Sequence, residues 1–286
     1  MWRTMPARVS ALVLGASALV VACGWSASPA PEAVSPTPAA SAPSASPSQQ
    51  RQPEVEQLTY QIVRSHPHDR RAFTQGLTVV DGELFESTGL YGASTLRRVD
   101  LATGNVLQRI ALDDRYFAEG IAIVGGRIVQ LTYQTGIGFV YDRKTFATLR
   151  EFKYPGEGWG LTYDGRRLIM SDGSDTLRFW HPDTLEETGR MRVRDGDTAI
   201  QHINELEFVN GALYANIWQE DRIARINPDT GVVTAWIDMG NLLTASERAR
   251  GVDVLNGIAY DAASGNFLIT GKLWPWVFEV KFVGKS

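Results

Sequence analysis

Cysteine is almost absent: Cys23 stands alone in 286 residues. Everything after it therefore lacks an internal disulfide, a thiol nucleophile and cysteine-ligated zinc. Histidine is nearly as scarce, with His66, His68, His181 and His202 making up the whole set. "SHPHD" has a metal-like look, but no second histidine pair accompanies it, and all four read as loop histidines. No basic block occurs, which excludes a nucleic-acid groove. Sustained, capped helical periods are missing as well; "NLLTASERAR" is the best candidate for a helix. Neither a Ser-His-Asp motif nor a phosphate-binding glycine loop is found.

What is present begins with Arg3 and Arg8, followed by the apolar run "ALVLGASALVVA". A positive start, a short apolar middle and small residues at the end describe a secretory signal over residues 1–22, too short to span a bilayer comfortably. "VVAC" resembles a bacterial lipobox, which makes Cys23 the expected lipidation site and the new N-terminus. Losing the leader removes two of 28 basic residues and none of 32 acidic ones, so 26 basic against 32 acidic residues gives −6. Residues 23–56 carry the anchor cysteine and an Ala/Ser/Pro tether, which has too few aromatic and branched residues to offset the entropy of ordering. The expected location is the bacterial cell envelope or periplasm, with membrane attachment through lipid only.

From residue 57 to 286 the pattern changes to short runs rich in branched and aromatic residues, separated by turn pairs such as Asp81-Gly82, Gly125-Gly126 and Asn210-Gly211. Five segments share one grammar: "FTQGLTVVDGELFES", "FAEGIAIVGGRIVQL", "GWGLTYDGRRLIMSD", "INELEFVNGALYANI" and "LNGIAYDAASGNFLIT". Aligned, they place Gln75, Glu119, Trp159, Asn204 and Asn256 at one position, with spacings of 44, 40, 45 and 52 residues. Repeats of roughly 40–50 residues with about four strands each are the signature of propeller blades. The expected fold is thus an all-β, five-bladed β-propeller. The early "LTYQIV" has no partner in the first repeat, so it is assigned to the outer edge of the last blade, beside "VFEVKF". Pairing there closes the ring and removes an open edge.

In such a ring the first strand of each blade lines the central axis, so the five aligned residues converge at one mouth of the channel. A purely structural ring would favour small or branched side chains. These five are three amides, a carboxylate and an indole, which marks a site. Tyr133, Trp218 and Lys272 occupy comparable places after the second strands of their repeats, with Trp274 close behind Lys272.

The motifs "AFTQGL", "FAEGIA", "GWGLTYDG", "INELEFVNGALYANIWQEDRIARI" and "LNGIAYD…ITGKLWP" resemble the plant and bacterial glutaminyl cyclases. The likeness runs from "PHDRRAFTQGL" to "FEVKF" in family order. It implies a five-bladed propeller, unrelated to the zinc-dependent animal enzymes, that converts N-terminal glutamine of peptides or proteins into pyroglutamate and ammonia. It also implies Glu119 as proton shuttle, Trp159 as an indole donor to the oxyanion, and Asn204 and Lys272 as catalytic polar groups. Phe73, Gln75, Tyr133, Trp218, Asn256 and Trp274 are the expected substrate contacts. No metal or other cofactor is expected for catalysis, and the protein is expected to be a monomer. The chain departs from the family pattern at Tyr133 and Tyr260, where tryptophan is commoner, and at Trp276, where a more polar residue is usual and a changed rim is expected.

Two other classes stand beside this reading. "NELE" places Glu205 and Glu207 next to Asn204, and propeller lactonases set such residues around a central calcium; a structural calcium in the channel is compatible with the sequence but not expected. A non-catalytic envelope propeller that binds protein ligands is the other.

Overall fold

The computed structural model describes residues 54–285. The signal segment, Cys23 and all of the tether before Glu54 lie outside the described residues. Just before the expected boundary at residue 57, Val55 packs on a buried apolar cluster and Glu56 pairs with Arg225 at 2.7 Å.

The described chain is almost wholly β. A long strand β1 (Glu56–Pro67) precedes a four-stranded sheet of β2 (Thr74–Val80), β3 (Glu83–Thr88), β4 (Thr95–Val99) and β5 (Val106–Ala111). The second sheet contains β6 (Ala118–Val124), β7 (Arg127–Thr132), β8 (Ile137–Asp142) and β9 (Thr148–Lys153). The third contains β10 (Leu161–Tyr163), β11 (Leu168–Met170), β12 (Thr176–Trp180) and β13 (Glu187–Arg192), followed by a small hairpin of β14 (Arg194–Asp195) and β15 (Thr198–Ala199). Then come β16 (Ile203–Val209), β17 (Ala212–Ile217), β18 (Arg222–Ile226), β19 (Val233–Asp238), α1 (Ala245–Arg248), β20 (Leu255–Asp261), β21 (Asn266–Gly271) and β22 (Trp276–Gly284).

The expected five equal sheets are seen as three four-stranded sheets and one of eight strands, ordered β16-β17-β18-β19-β1-β22-β21-β20. Within the eight, β1 pairs antiparallel with β22 along nearly its whole length, as "LTYQIV" beside "VFEVKF" requires. It touches β19 over only three residue pairs, Glu56–Leu58 against Ala235–Ile237.

The first strands of the repeats close on themselves. β2 lies against β6, β6 against β10, β10 against β16, β16 against β20, and β20 against β2. Five buried apolar clusters fill the spaces between consecutive groups of strands; one joins Phe85 and Leu96 to Ile121 and Phe139, another joins Leu77 and Leu84 to Ala259 and Leu268. Each fully buried Leu or Ile contributes about 1.5–3 kcal/mol, so these five interfaces hold the ring together. The "NLLTASERAR" helix is a single turn. Thr244 caps it in a reciprocal box with Glu247.

Three of the four histidines, His68, His181 and His202, lie outside the strands as expected, and His66 is the exception. His66 lies within β1, and His68 is buried at the seam between the start and end of the chain. His68 Nε2 is 2.8 Å from Glu86 Oε1 and its Nδ1 is 2.8 Å from the Trp274 carbonyl oxygen. A buried imidazole needs such partners, and the turn signals around "SHPHD" gave no sign of them.

Candidate active site

Four of the aligned residues sit at one recurring irregularity. The pairing of β2 with β3 slips between Thr74 and Gly76, that of β6 with β7 between Ala118 and Ile121, that of β16 with β17 between Ile203 and Leu206, and that of β20 with β21 between Leu255 and Ile258. A bulge re-aims the extra side chain out of the ladder. Gln75, Glu119, Asn204 and Asn256 occupy those bulges, and Trp159 takes the matching place just before β10.

A second ring stands two residues earlier, just before the first strand of each repeat. It comprises Phe73, Phe117, Glu157, His202 and Val254. The backbone fixes it: the amides of Tyr133, Trp218 and Lys272 donate to the carbonyls of Phe117, His202 and Val254 at 2.8–3.0 Å. The residues after the second strands therefore stand directly beside this ring. Aromatic contacts then run round the mouth, from Phe73 to Phe117 (6.1 Å between centroids), to Tyr133 (5.9 Å), to Trp159 (6.4 Å) and to Trp218 (5.7 Å). Lys272 completes the circuit, with its Nζ 5.0 Å from the Phe73 ring centroid.

These side chains enclose a cavity of about 390 Å³. Glu119 and Asn204 form its floor and are almost fully buried. Burial pushes the Glu119 carboxyl well above the usual carboxylate range; Lys272 opposes this and Glu157 adds to it. Burial likewise pulls the Lys272 ammonium down, against the pull of Glu119. Gln75 Nε2 donates to Glu119 Oε1 at 3.3 Å, and Asn256 Nδ2 donates to Gln75 Oε1 at 3.1 Å. Asn204 is held through its backbone, whose carbonyl accepts from Ser171 Oγ at 2.6 Å, while its side-chain Oδ1 has no protein partner. The same Ser171 Oγ accepts from the Gly160 N–H at 2.8 Å, which ties Trp159 and Asn204 to one anchor.

Of the expected site residues, Phe73, Gln75, Glu119, Tyr133, Trp159, Asn204, Trp218 and Lys272 line this cavity. Asn256 and Trp274 do not. Asn256 lies beneath Gln75, its amide spent on Gln75 and the Thr74 carbonyl. Trp274 is turned away: Leu273 adopts φ 63°, the Trp274 N–H closes a turn onto the Gly271 carbonyl, and the indole donates to the Asp253 carbonyl inside the core. Nor is the Trp159 indole free, because it donates to Glu157 Oε2 at 3.0 Å. Trp276 does not reshape the cavity rim; its indole donates to Glu247 at 2.6 Å and holds α1. Tyr260 packs against Phe267, away from the cavity.

Phe117, Gln219, Asp253 and Val254 also line the cavity, and Glu157 backs it. Three of these five stand two residues before aligned positions, so the repeat spacing itself could have found them. Glu205 and Glu207 are turned toward backbone amides. The Glu205 oxygens accept from the Leu77 and Ile258 amides at 3.1 and 2.7 Å, and Glu207 accepts from the Tyr260 amide at 3.1 Å. Oxygens facing N–H donors are poorly placed for a cation. No cluster of three or more His, Cys, Asp or Glu able to hold a metal occurs among the described residues.

A ring of antiparallel sheets with a small aromatic cavity at one mouth, one buried carboxyl and one carboxamide without a protein partner defines a propeller enzyme of the amide-handling class. The chain belongs to the glutamine cyclotransferase family, whose model matches residues 35–282. It is 42% identical over 225 residues to the glutaminyl-peptide cyclotransferase of Arabidopsis thaliana, covering 77% of this chain and 70% of that one. It also resembles the crystal structure of Myxococcus xanthus glutaminyl cyclase, with a TM-score of 0.76, 38% identity, and coverage of 82% of this chain and all of that one.

Proposed function

We infer that this protein is a glutaminyl-peptide cyclotransferase, converting an N-terminal glutamine into pyroglutamate with release of ammonia. One observation carries the assignment to this cavity: an Asn204 side-chain amide with no protein partner and the buried Glu119 carboxyl both line it. A primary carboxamide is complementary to another carboxamide. The Asn204 NH₂, which is spent on no protein acceptor, can donate to the substrate's amide oxygen.

The α-amine nitrogen attacks Cδ, the new N–Cδ bond closes the five-membered ring, and the Cδ–Nε bond breaks. Holding both partners in one residue supplies most of the required proximity. Glu119, ionised when the neutral amine binds, takes the proton that the amine loses and delivers it to the departing nitrogen, so ammonia leaves and the carboxylate is restored. Its raised proton affinity suits this two-way task. Lys272 and the Asn204 NH₂ stabilise the oxyanion. Gln75, braced by Asn256, orients Glu119. Phe73, Tyr133, Trp159 and Trp218 act as walls that exclude water, and the tyrosine at position 133 keeps a wall without an indole. No step calls for a metal or other cofactor.

In this reading the eight-stranded sheet is two blades joined at β1, which makes a five-bladed propeller. Residues 1–22 act as a signal, Cys23 carries lipid, and the tether holds a monomeric domain off the envelope membrane, acting on peptides or proteins with N-terminal glutamine. Mass analysis of the mature N-terminus tests the anchor. The activity is tested by incubating the domain with a peptide bearing N-terminal glutamine, with and without chelator, and following ammonia. Release that ignores the chelator is expected. Chelator-sensitive lactone hydrolysis without ammonia release would replace the cyclase with a hydrolase, and no activity of either kind would leave a binding scaffold.

A further inference from the structure

The repeats differ at the residue just after their second strands. Where the second, fourth and fifth repeats place Tyr133, Trp218 and Lys272, the first has Gly89, whose amide makes the equivalent bond to the Phe73 carbonyl at 2.8 Å, and the third has Gly173, covered by the Trp159 ring. A Cβ at Gly89 would lie 2.3 Å from the Phe117 ring, so the missing side chain is what lets Phe117 cover this part of the wall. The next two residues are then left outside. Leu90 and Tyr91 are 39% and 57% exposed, and Leu90 has a φ of 101°, a strained conformation for a non-glycine residue.

This outward pair is built rather than loose. The Leu90 carbonyl accepts from the Ala93 N–H at 3.0 Å and from Ser94 Oγ at 2.8 Å, and Ser94 Oγ accepts in turn from the Ala118 amide, next to Glu119, at 3.0 Å. The Tyr91 ring meets Phe117 edge-on at 5.4 Å. Other exposed large apolar residues of the described chain lie on outer strands: Ile62 and Val63 on β1, Val106 and Leu107 on β5, and Leu149 on β9. Leu90 and Tyr91 alone extend the cavity's aromatic wall into solvent.

We propose that Leu90 and Tyr91 form a shelf for the second residue of the peptide substrate, favouring a large apolar or aromatic side chain there. This rests on the cyclase function inferred for the cavity. With the substrate's α-amine at Glu119, its Cα is bonded to that nitrogen, and its carbonyl leads out of the cavity within a few ångströms of the same place. Glu119 is two residues from Phe117, and Phe117 carries Tyr91, so the departing chain meets this side of the mouth. A glutamine amide without a second residue does not reach the shelf.

The test compares Gln-Phe and Gln-Ser peptides with glutamine amide, on the wild-type protein, Tyr91→Ala and Tyr91→Phe. An aromatic contact of this kind corresponds to about a 3- to 10-fold effect. The wild type should favour Gln-Phe over Gln-Ser by that factor in kcat/KM. Tyr91→Ala should abolish the preference through KM, with kcat and turnover of glutamine amide unchanged, and Tyr91→Phe should keep it. An unchanged Gln-Phe to Gln-Ser ratio in Tyr91→Ala would overturn the shelf, and so would an equal loss on all three substrates. Wild-type protein that cyclises none of the three fails the cyclase reading itself, and the shelf falls with it.

Discussion

The indole N–H of Trp159 donates to Glu157 Oε2 at 3.0 Å, and Gln134 Nε2 holds the other oxygen of the same carboxylate at 3.0 Å. Glu157 thereby fixes a wall of the cavity and also sets a negative charge near Glu119, whose proton affinity it raises. Glu157→Gln keeps an acceptor for the indole and removes the charge. Without a like charge nearby, ionised Glu119 is easier to form. Because the shuttle must start ionised, the acid limb of the kcat/KM profile should move to lower pH. An unchanged limb would mean that Glu157 is only a structural support.

Lys272 acts on the same carboxyl with the opposite sign, since its ammonium favours ionised Glu119. In Lys272→Met, activity should fall through loss of oxyanion stabilisation, and the acid limb of the residual activity should move to higher pH. Measuring both variants in one buffer series makes the comparison internal. Limbs that shift in the same direction would refute the assignment of that limb to Glu119.

Replacing the shuttle itself gives the largest effect. Glu119→Gln is expected to lower kcat by about 10²–10⁴-fold, the usual range for a lost general acid–base group. The fold should survive, because Gln75 can still bond to a side-chain amide oxygen and a buried ionisable group has been removed. Ammonia release and a thermal melt are the readouts. Near-wild-type turnover would remove Glu119 from the mechanism.

Much of this arrangement is legible in the sequence, because a repeat is a spatial statement. The recurrence of Gln75, Glu119, Trp159, Asn204 and Asn256 at intervals of 40–52 residues places them at equivalent points of the repeats, and "LTYQIV" without a partner places β1 beside β22. Depth is not legible. Asn256 shares the bulge position of Glu119, yet its amide is taken by Gln75 and Thr74, an effect of side-chain bonding that spacing does not encode. Trp274 follows Lys272 by two residues, which on strand alternation alone puts both on one face. The positive φ of Leu273 breaks the alternation on which that placement depends. Phe117 and Glu157 show the converse, since the repeat spacing finds them two residues before Glu119 and Trp159.

The closeness of the inner strands makes a prediction at Gly160. A Cβ there would lie 2.1 Å from the Asn204 carbonyl oxygen and 2.9 Å from the Glu205 Cα, both backbone atoms that cannot swing away. Gly160→Ala must therefore push β16 outward and pull Ser171 from its bonds to Gly160 and Asn204. Overpacking of this kind costs about 1–3 kcal/mol. The expected result is a lower melting temperature together with a loss of kcat, because Asn204 and Trp159 move with the strands. Gly211→Ala is the control for a turn glycine with open space around it, although its φ of 84° adds strain; it should lower stability without lowering kcat. Full activity in Gly160→Ala would show that the floor of the cavity tolerates displacement.

Stability should also depend on pH in a direction unusual for an acidic protein. Burial raises the Glu207 carboxyl to about 8 and, with help from Glu207, pushes Glu205 well up. A group with a raised folded-state pKa favours the folded state most below its unfolded pKa and loses that preference as pH rises through the folded value. His68 acts in the same sense: burial pulls its imidazolium down, but Glu86 at 2.8 Å outweighs burial and holds it above its usual range. Glu86 itself, buried but held low by His68 and Arg97, supports the fold above the ordinary carboxylate range and fails only in acid. Stability should accordingly peak near pH 5 and fall toward pH 9, by roughly 5–15 °C in melting temperature if Glu207 contributes a few kcal/mol. Glu207→Gln retains an acceptor for the Tyr260 amide and removes the titration. Its melting temperature should fall less between pH 5 and 9 than that of the wild type, and an equal fall in both would show that Glu207 stays ionised in the folded protein.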